Sequence, residues 1–351
     1  MSDHGTEPPG AEKTADLHFE DGPTDPLHRL QRFLHAAPTI VPVAVLVLSV
    51  LVFSAIVGTR FFHPFNLSLI MQQVTIIAVI GVAQTLVILT AGIDLSVGAI
   101  MILVSIVMGQ LAVAVGLPQE VAFLIGLAVG TGCGLINGLL VTYLRLPPFI
   151  VTLGTWSVFG AIFLWLSGSQ TIRAQEVAAA APLLQATGWA VQIGGARLTM
   201  GTVAAVVIAA AVWYMLNRTA FGRHIYATGD DPEAARLAGI DTRRVLLATY
   251  TLAGFICALG AWVLIGRIGA ISPTSGGTAN LDSITAVVIG GTSLFGGRGG
   301  VLGTLIGALI VGVFRNGLQL AGVEVVWQGF AIGLLVLVAV SLDQWIRKVK
   351  T

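Results

Sequence analysis

Long apolar stretches separated by short polar segments run through most of this chain. Runs without a charged residue cover positions 39–57, 69–93, 95–119, 121–144, 146–170, 198–217 and 245–266. Most of them reach the roughly 20 residues that a helix needs to cross a bilayer core. A membrane β-barrel would instead show segments of about ten residues with alternating polarity. The pattern therefore predicts an all-α fold, a polytopic transmembrane helical bundle. Its ten spans lie at about 39–57, 69–90, 95–115, 120–143, 149–167, 199–217, 246–266, 282–295, 301–320 and 324–344. The eighth is the shortest. It is either tilted or built from half-helices that do not fully cross.

Composition agrees with this reading. Of 351 residues, 56% are hydrophobic and 10% charged, with a mean hydropathy of +0.91. A water-soluble domain carries about 25% charge, so lipid is the expected solvent. Residues 1–25 are rich in Asp, Glu, Pro and Gly with Lys13 as their one basic side chain, which predicts a disordered cytoplasmic tail rather than a cleaved signal peptide. Asp25-Pro26 opens a short interfacial amphipathic helix over 26–38, with Leu27, Leu30, Leu34 and Ala37 on one stripe. The transmembrane domain follows over 39–345, and 346–351 form the C-terminus.

The basic residues give the bundle a direction. With the N-terminus inside, thirteen Lys and Arg fall on inner segments, four (Arg60, Arg173, Arg197, Arg267) fall outside, and Arg315 lies within a span. The positive-inside rule then places both termini in the cytoplasm. Segment 217–245 becomes an inner loop and 168–198 an outer one. Asp282, Glu324 and Glu120 sit at outer ends, where solvation is expected. Gly126, Gly130, Gly134 and Gly138 repeat every four residues, as do Gly303 and Gly307. Such stripes allow close helix approach in lipid, within one subunit or at a dimer seam. A faint echo links Ala91–Gly98 with Gly290–Gly297.

Several chemistries are excluded. All six histidines lie in the tail or loops, so neither a Ser/His membrane protease nor a buried zinc site has an imidazole in a span. The three lysines lie at the chain's extremes and none follows a glycine-rich loop, so no phosphate-cradling motif is present. No cofactor is expected in this chain, and no nucleic-acid partner. Cys133 and Cys257 lie inside apolar runs and read as small hydrophobes.

The polar residues within the spans are the candidates for function. Asp94 has Gly92 before it and Ser96 after it. A carboxylate at a helix centre costs about 2.5–3.5 kcal/mol, so Asp94 either caps the third span or faces a polar pathway. Gln73 and Gln84, eleven residues apart, fall near one face of the second span. With Asn137 and the pair Thr152 and Trp156, they complete the substrate-pathway candidates. On the inner loop, Gly229-Asp-Asp-Pro-Glu-Ala-Ala-Arg-Leu-Ala-Gly239 reads as a short helix. Asp231 caps it, Pro232 fills the first turn, Glu233 favours its positive end and Gly239 stops it.

Two levels of resemblance follow from these residues. Glu233-Ala234-Ala235, with Arg236 next and Gly239 three residues further, resembles the first half of the loop by which bacterial ABC import permeases dock on their ATPase. The second half departs from that signature, since Thr249 and Thr251-Leu252 replace isoleucine and Leu-Pro. Four ordered blocks resemble the ribose/xylose/fructose class of ABC permeases: Leu89–Ile100, Leu146–Gly154, Gly222–Gly229 and Ile289–Gly300. The similarity runs from about residue 40 to residue 345 and points within the class to the fructose/ribose/mannose type. It implies a cobalamin-importer architecture in the bacterial inner membrane and a monosaccharide as substrate. It further implies a second copy of the permease, a cytoplasmic ABC ATPase that binds ATP and Mg, and a periplasmic sugar-binding protein. The alternative is an ion-coupled secondary sugar transporter, with Asp94 as its one candidate acid.

Overall fold

The computed structural model describes residues 40–347. The tail over 1–25, the interfacial helix expected over 26–38 and the last residues of the C-terminus lie outside the described residues. Ten helices form the bundle: α1 (Ile40–Val57), α2 (Pro64–Leu89), α3 (Val97–Gly109), α4 (Gln119–Thr142), α5 (Pro148–Ser167), α8 (Met200–Arg218), α11 (Thr242–Ile268), α12 (Ala279–Ile289), α13 (Val301–Leu320) and α14 (Val325–Arg347). Eight of them are long and apolar enough to cross a membrane, α3 being extended by a π-turn over Gln110–Ala114. The chain is thus an all-α polytopic membrane protein. Short helices α6 (Ala174–Ala180) and α7 (Pro182–Gln185) and a hairpin of β1 (Ala190–Ile193) and β2 (Ala196–Thr199) lie between α5 and α8. Between α8 and α11 lie α9 (Ala220–Asp230) and α10 (Pro232–Leu237).

The two ends of the bundle differ. One carries Arg145, Arg218, Arg223, Arg236, Arg243, Arg244 and Arg298, and is called here the arginine-rich face. The other carries the hairpin. Element ends follow local chemistry: Pro64, Pro148 and Pro182 open helices, Thr199 caps α8 by accepting from Thr202 N, and Gly168 and Gly269 close α5 and α11 in the left-handed region.

Two helices do not start at a face. The Gln84 side chain pairs with the peptide of Asp94, so the chain after α2 turns back about 7.5 Å, five helical residues, before α3 begins. On the other side, residues 270–278 descend from the hairpin face alongside α3. Ile271 packs at Gly109, the Met101 methyl lies at Gly276, and the Gly98 N–H donates to Asn280 Oδ1. From there α12 runs to the arginine-rich face. With 11 residues it is about 16 Å long, half of a bilayer core. The eighth span expected over 282–295 is corrected in its bounds: it is the half-helix Ala279–Ile289, its first half replaced by a leg of turns over 270–278, and 290–300 form a turn. The starts of α3 and α12 therefore meet inside the bundle and point in opposite directions.

The glycine stripes pack within the chain. Gly130 and Gly134 on α4 meet Gly254 on α11 backbone to backbone, and Gly303 and Gly307 on α13 do the same with Gly290 and Ala286. Small residues here replace the hydrophobic drive that lipid does not supply. Gly254→Val should force α4 and α11 apart at a cost of about 3 kcal/mol, while Gly132→Val, which meets open space, should be nearly neutral. Thermal unfolding of both purified variants in detergent checks the contrast.

Candidate functional site

Five of the seven pathway candidates converge on the turn over 90–96. Gln84 on α2 donates to Asp94 O at 2.9 Å and accepts from Asp94 N at 3.2 Å. Asp94 Oδ1 accepts from Ser96 N at 2.7 Å and from Ser96 Oγ at 2.6 Å. Asn137 Nδ2 on α4 donates to Ser96 Oγ at 2.8 Å, and Thr152 Oγ1 on α5 to Ile93 O at 3.0 Å. Tyr250 on α11 closes the turn at Gly92. All five candidates are buried. At membrane depth, non-helical backbone must find its hydrogen bonds within the protein, and these side chains supply them. Asp94 also lies at the positive end of α3, where a carboxylate is favoured. No basic side chain pairs with it among the described residues. Gln73 stands apart, with a buried Oε1 that has no hydrogen-bond partner among the described residues. Trp156, one turn along α5 from Thr152, is 46% exposed.

The start of α12 carries the second acid. Asp282, expected at a solvated outer end, is 5% exposed. Its Oδ1 accepts from Arg315 on α13 at 2.8 Å, and its Oδ2 from Thr278 Oγ1 at 2.9 Å. The physical reason is the non-helical leg over 270–278, which carries residue 282 into the bundle and so gives Arg315 its partner. Glu120 and Glu324 are exposed.

On the arginine-rich face, Asp231 accepts from Glu233 N at 2.9 Å and from Ala234 N at 3.0 Å, Pro232 occupies the first turn of α10, and Gly239 ends it at φ +85°. Ala235 is buried, while Glu233, Ala234, Arg236 and Gly239 are exposed. α9 precedes this helix and was not legible from periodicity alone. Its Thr219 cap accepts from Gly222 N, and Tyr226 Oη donates to Gly299 O at 2.9 Å. Burial pushes the Tyr226 phenol up, so the hydroxyl keeps its donor proton at neutral pH. Asn280, which caps α3 from another helix, also escaped sequence reasoning; its one signal is the polar run Thr278 to Ser283. On the hairpin face, a hollow lies between α6, the α7–β1 turn and the end of α11, with Gln175, Gln185 and Trp189 in its wall. Arg173 and Glu176 sit at its edge, the Arg173 N–H donating to the Glu176 carboxylate at 2.8 Å.

Residues 66–340 match the family described as branched-chain amino acid transport system / permease component. Over 323 residues the chain is 56% identical to the fructose import permease protein FrcC of Rhizobium meliloti, covering 92% of this chain and 90% of that one. It is 37% identical over 294 residues to the ribose import permease protein RbsC of Bacillus subtilis (strain 168), covering 83% and 88%. The xylose transport system permease protein XylH of Escherichia coli (strain K12) is 31% identical over 356 residues, covering 86% and 91%. No solved structure matches the chain.

The Asp282–Arg315 pair allows a direct check of what holds α12. Arg315→Met leaves a buried carboxylate without its partner and should cost about 2–3 kcal/mol, less than a fully buried pair because Arg315 keeps 29% exposure. Adding Asp282→Leu should recover most of that loss. A double-mutant cycle by thermal unfolding reads both.

Proposed function

The chain belongs to the permease family described as branched-chain amino acid transport system / permease component, and from that premise we propose that it forms the membrane pathway of an ATP-driven monosaccharide importer. The observation that carries this reading is α10, a short capped helix held out from the arginine-rich face with Glu233, Arg236 and Leu237 exposed. A cytoplasmic ATPase would grip this helix, taking ATP and Mg on its own subunit. The excess of arginine on that face supports a cytoplasmic location for it by the positive-inside rule, and the same rule favours both termini on that side. The high identity to a fructose import permease supports fructose or a related monosaccharide as the substrate. A periplasmic sugar-binding protein would land on the hollow and hairpin of the opposite face.

A second copy of the chain would complete the pathway. α1 is exposed along an unbroken apolar surface, as lipid requires, but α5 is exposed along Gly154, Trp156 and Ser157, with open space at Gly154 and Gly160. α14 similarly leaves Gly329 and Gly333 open. These are the faces that suit a partner copy, with Trp156 as the aromatic plane at which a sugar ring would pass. The buried network at Asp94 then acts by fixing the wall behind α5. Movement of the two copies against each other, driven through α10, would open the pathway to each side in turn.

Reconstitution tests the reading. Proteoliposomes with the permease, its ATPase and its binding protein should take up labelled monosaccharide only with ATP. Uptake by the permease alone on a sodium or proton gradient would establish the secondary-transporter alternative instead. Charge reversal at Glu233 combined with Gly239→Pro should abolish co-purification of the ATPase while membrane insertion persists. Normal co-purification of that variant counts against α10 as the docking helix.

A further inference from the structure

The segment between α8 and α11 has two parts with opposite surroundings. α10 is displayed: Leu237 is 89% exposed, and Glu233 and Arg236 pair with each other at 3.5 Å. α9 ends inside the structure. Its Gly229 is buried, and a Cβ at that position would overlap the carbonyl oxygen of Leu89 and come within 2.9 Å of Gly297 N. Gly296 in turn closes on the Gly229 carbonyl and on Ala91, and Gly297, at φ +68°, lies against Cα of Asp230. Gly297 N donates to Leu89 O at 3.0 Å, and Tyr226 fastens the other side of α9 to Gly299 O. The last turn of α9 thus fills a slot between two turns. One, over 90–96, starts α3; the other, over 290–300, joins α12 to α13.

Joints of this kind transmit displacement well. Where backbone meets backbone, no side chain is present to rotate and absorb a shift, and close-packed interiors carry strain onward. Moreover, the two turns in contact with α9 lead directly to the elements whose starts meet inside the bundle.

We propose that Gly229 and Tyr226 are positioning residues for transport, which lock α9 between the two glycine turns so that a displacement of α10 reaches α3 and α12. This rests on α10 being the ATPase docking helix, and it separates docking, on α10, from transmission, on α9.

The test uses the complete complex in proteoliposomes and reads monosaccharide taken up per ATP hydrolysed. Wild-type complex first establishes ATP-dependent uptake; its failure would remove the function proposed above without bearing on the joint. In Gly229→Ala, the ATPase should still co-purify and hydrolyse ATP, while uptake per ATP falls about tenfold, within the usual range for coupling between sites. Tyr226→Phe keeps the ring, loses one hydrogen bond and should lower the ratio about threefold. An unchanged ratio in an assembled Gly229→Ala complex, including a proportional loss of both activities, overturns the proposal. If Gly229→Ala does not assemble, Tyr226→Phe decides: a lowered ratio supports the joint and an unchanged one overturns it.

Discussion

Backbone hydrogen bonding without water is the constraint on which this structure depends. A chain that leaves the helix at membrane depth must satisfy each freed N–H and C=O with protein groups. Here a cluster of buried side chains does so before α3, while the segment before α12 uses its own turns and the pairing of Ile271 with Ile172. Gln84, Asp94, Ser96, Asn137 and Thr152 serve the first break, and Asn280 caps α3 from α12; at the second, Thr278 and Arg315 hold the Asp282 carboxylate. The two acids also lie at the starts of their helices, where the aligned peptide dipoles favour negative charge. Their presence in lipid has a structural cause that needs no bound ion.

Much of this was legible in the sequence, and the limits have physical reasons. Eight of the ten expected spans followed from apolar length, because lipid admits few alternatives to the helix, whereas Ala279–Ile289 and the apolar stretch Val325–Val338 are shorter. The α10 cap was readable from Asp231-Pro232 and Gly239, since capping is local. The cost of a carboxylate in a span pointed to Asp94 as a break or a pathway residue, and the structure gives it the break. What spacing could not show was pairing across the bundle. Asp282 looked like an end-of-helix acid because nothing local reveals the non-helical leg that carries it inward. Likewise, glycine stripes are the same in sequence whether they pack on a partner copy or on α11, and only the fold assigns them to α11 and α12.

The same geometry links the arginine-rich face to the interior. The displayed helix, the slot beneath it and the two breaks form one connected series, from exposed Leu237 through Gly229 to Leu89 and Gly297. At Gly229 the contacts to Leu89 and Gly297 are backbone to backbone. The faces left open, on α5 and α14, are distinct from this series, so the part that would receive force under the proposed function and the part that would line a pathway occupy different helices. That separation is what a transporter driven from outside its own chain requires.

The sidedness of α10 tests the account most directly. A single reactive cysteine at Leu237, in a chain with Cys133→Ala and Cys257→Ala, should react with a membrane-impermeant maleimide in inverted membrane vesicles and stay unlabelled in intact cells with a permeabilised outer membrane. Labelling in the intact cells would put α10 in the periplasm, beyond the reach of any cytoplasmic ATPase, and would contradict the account.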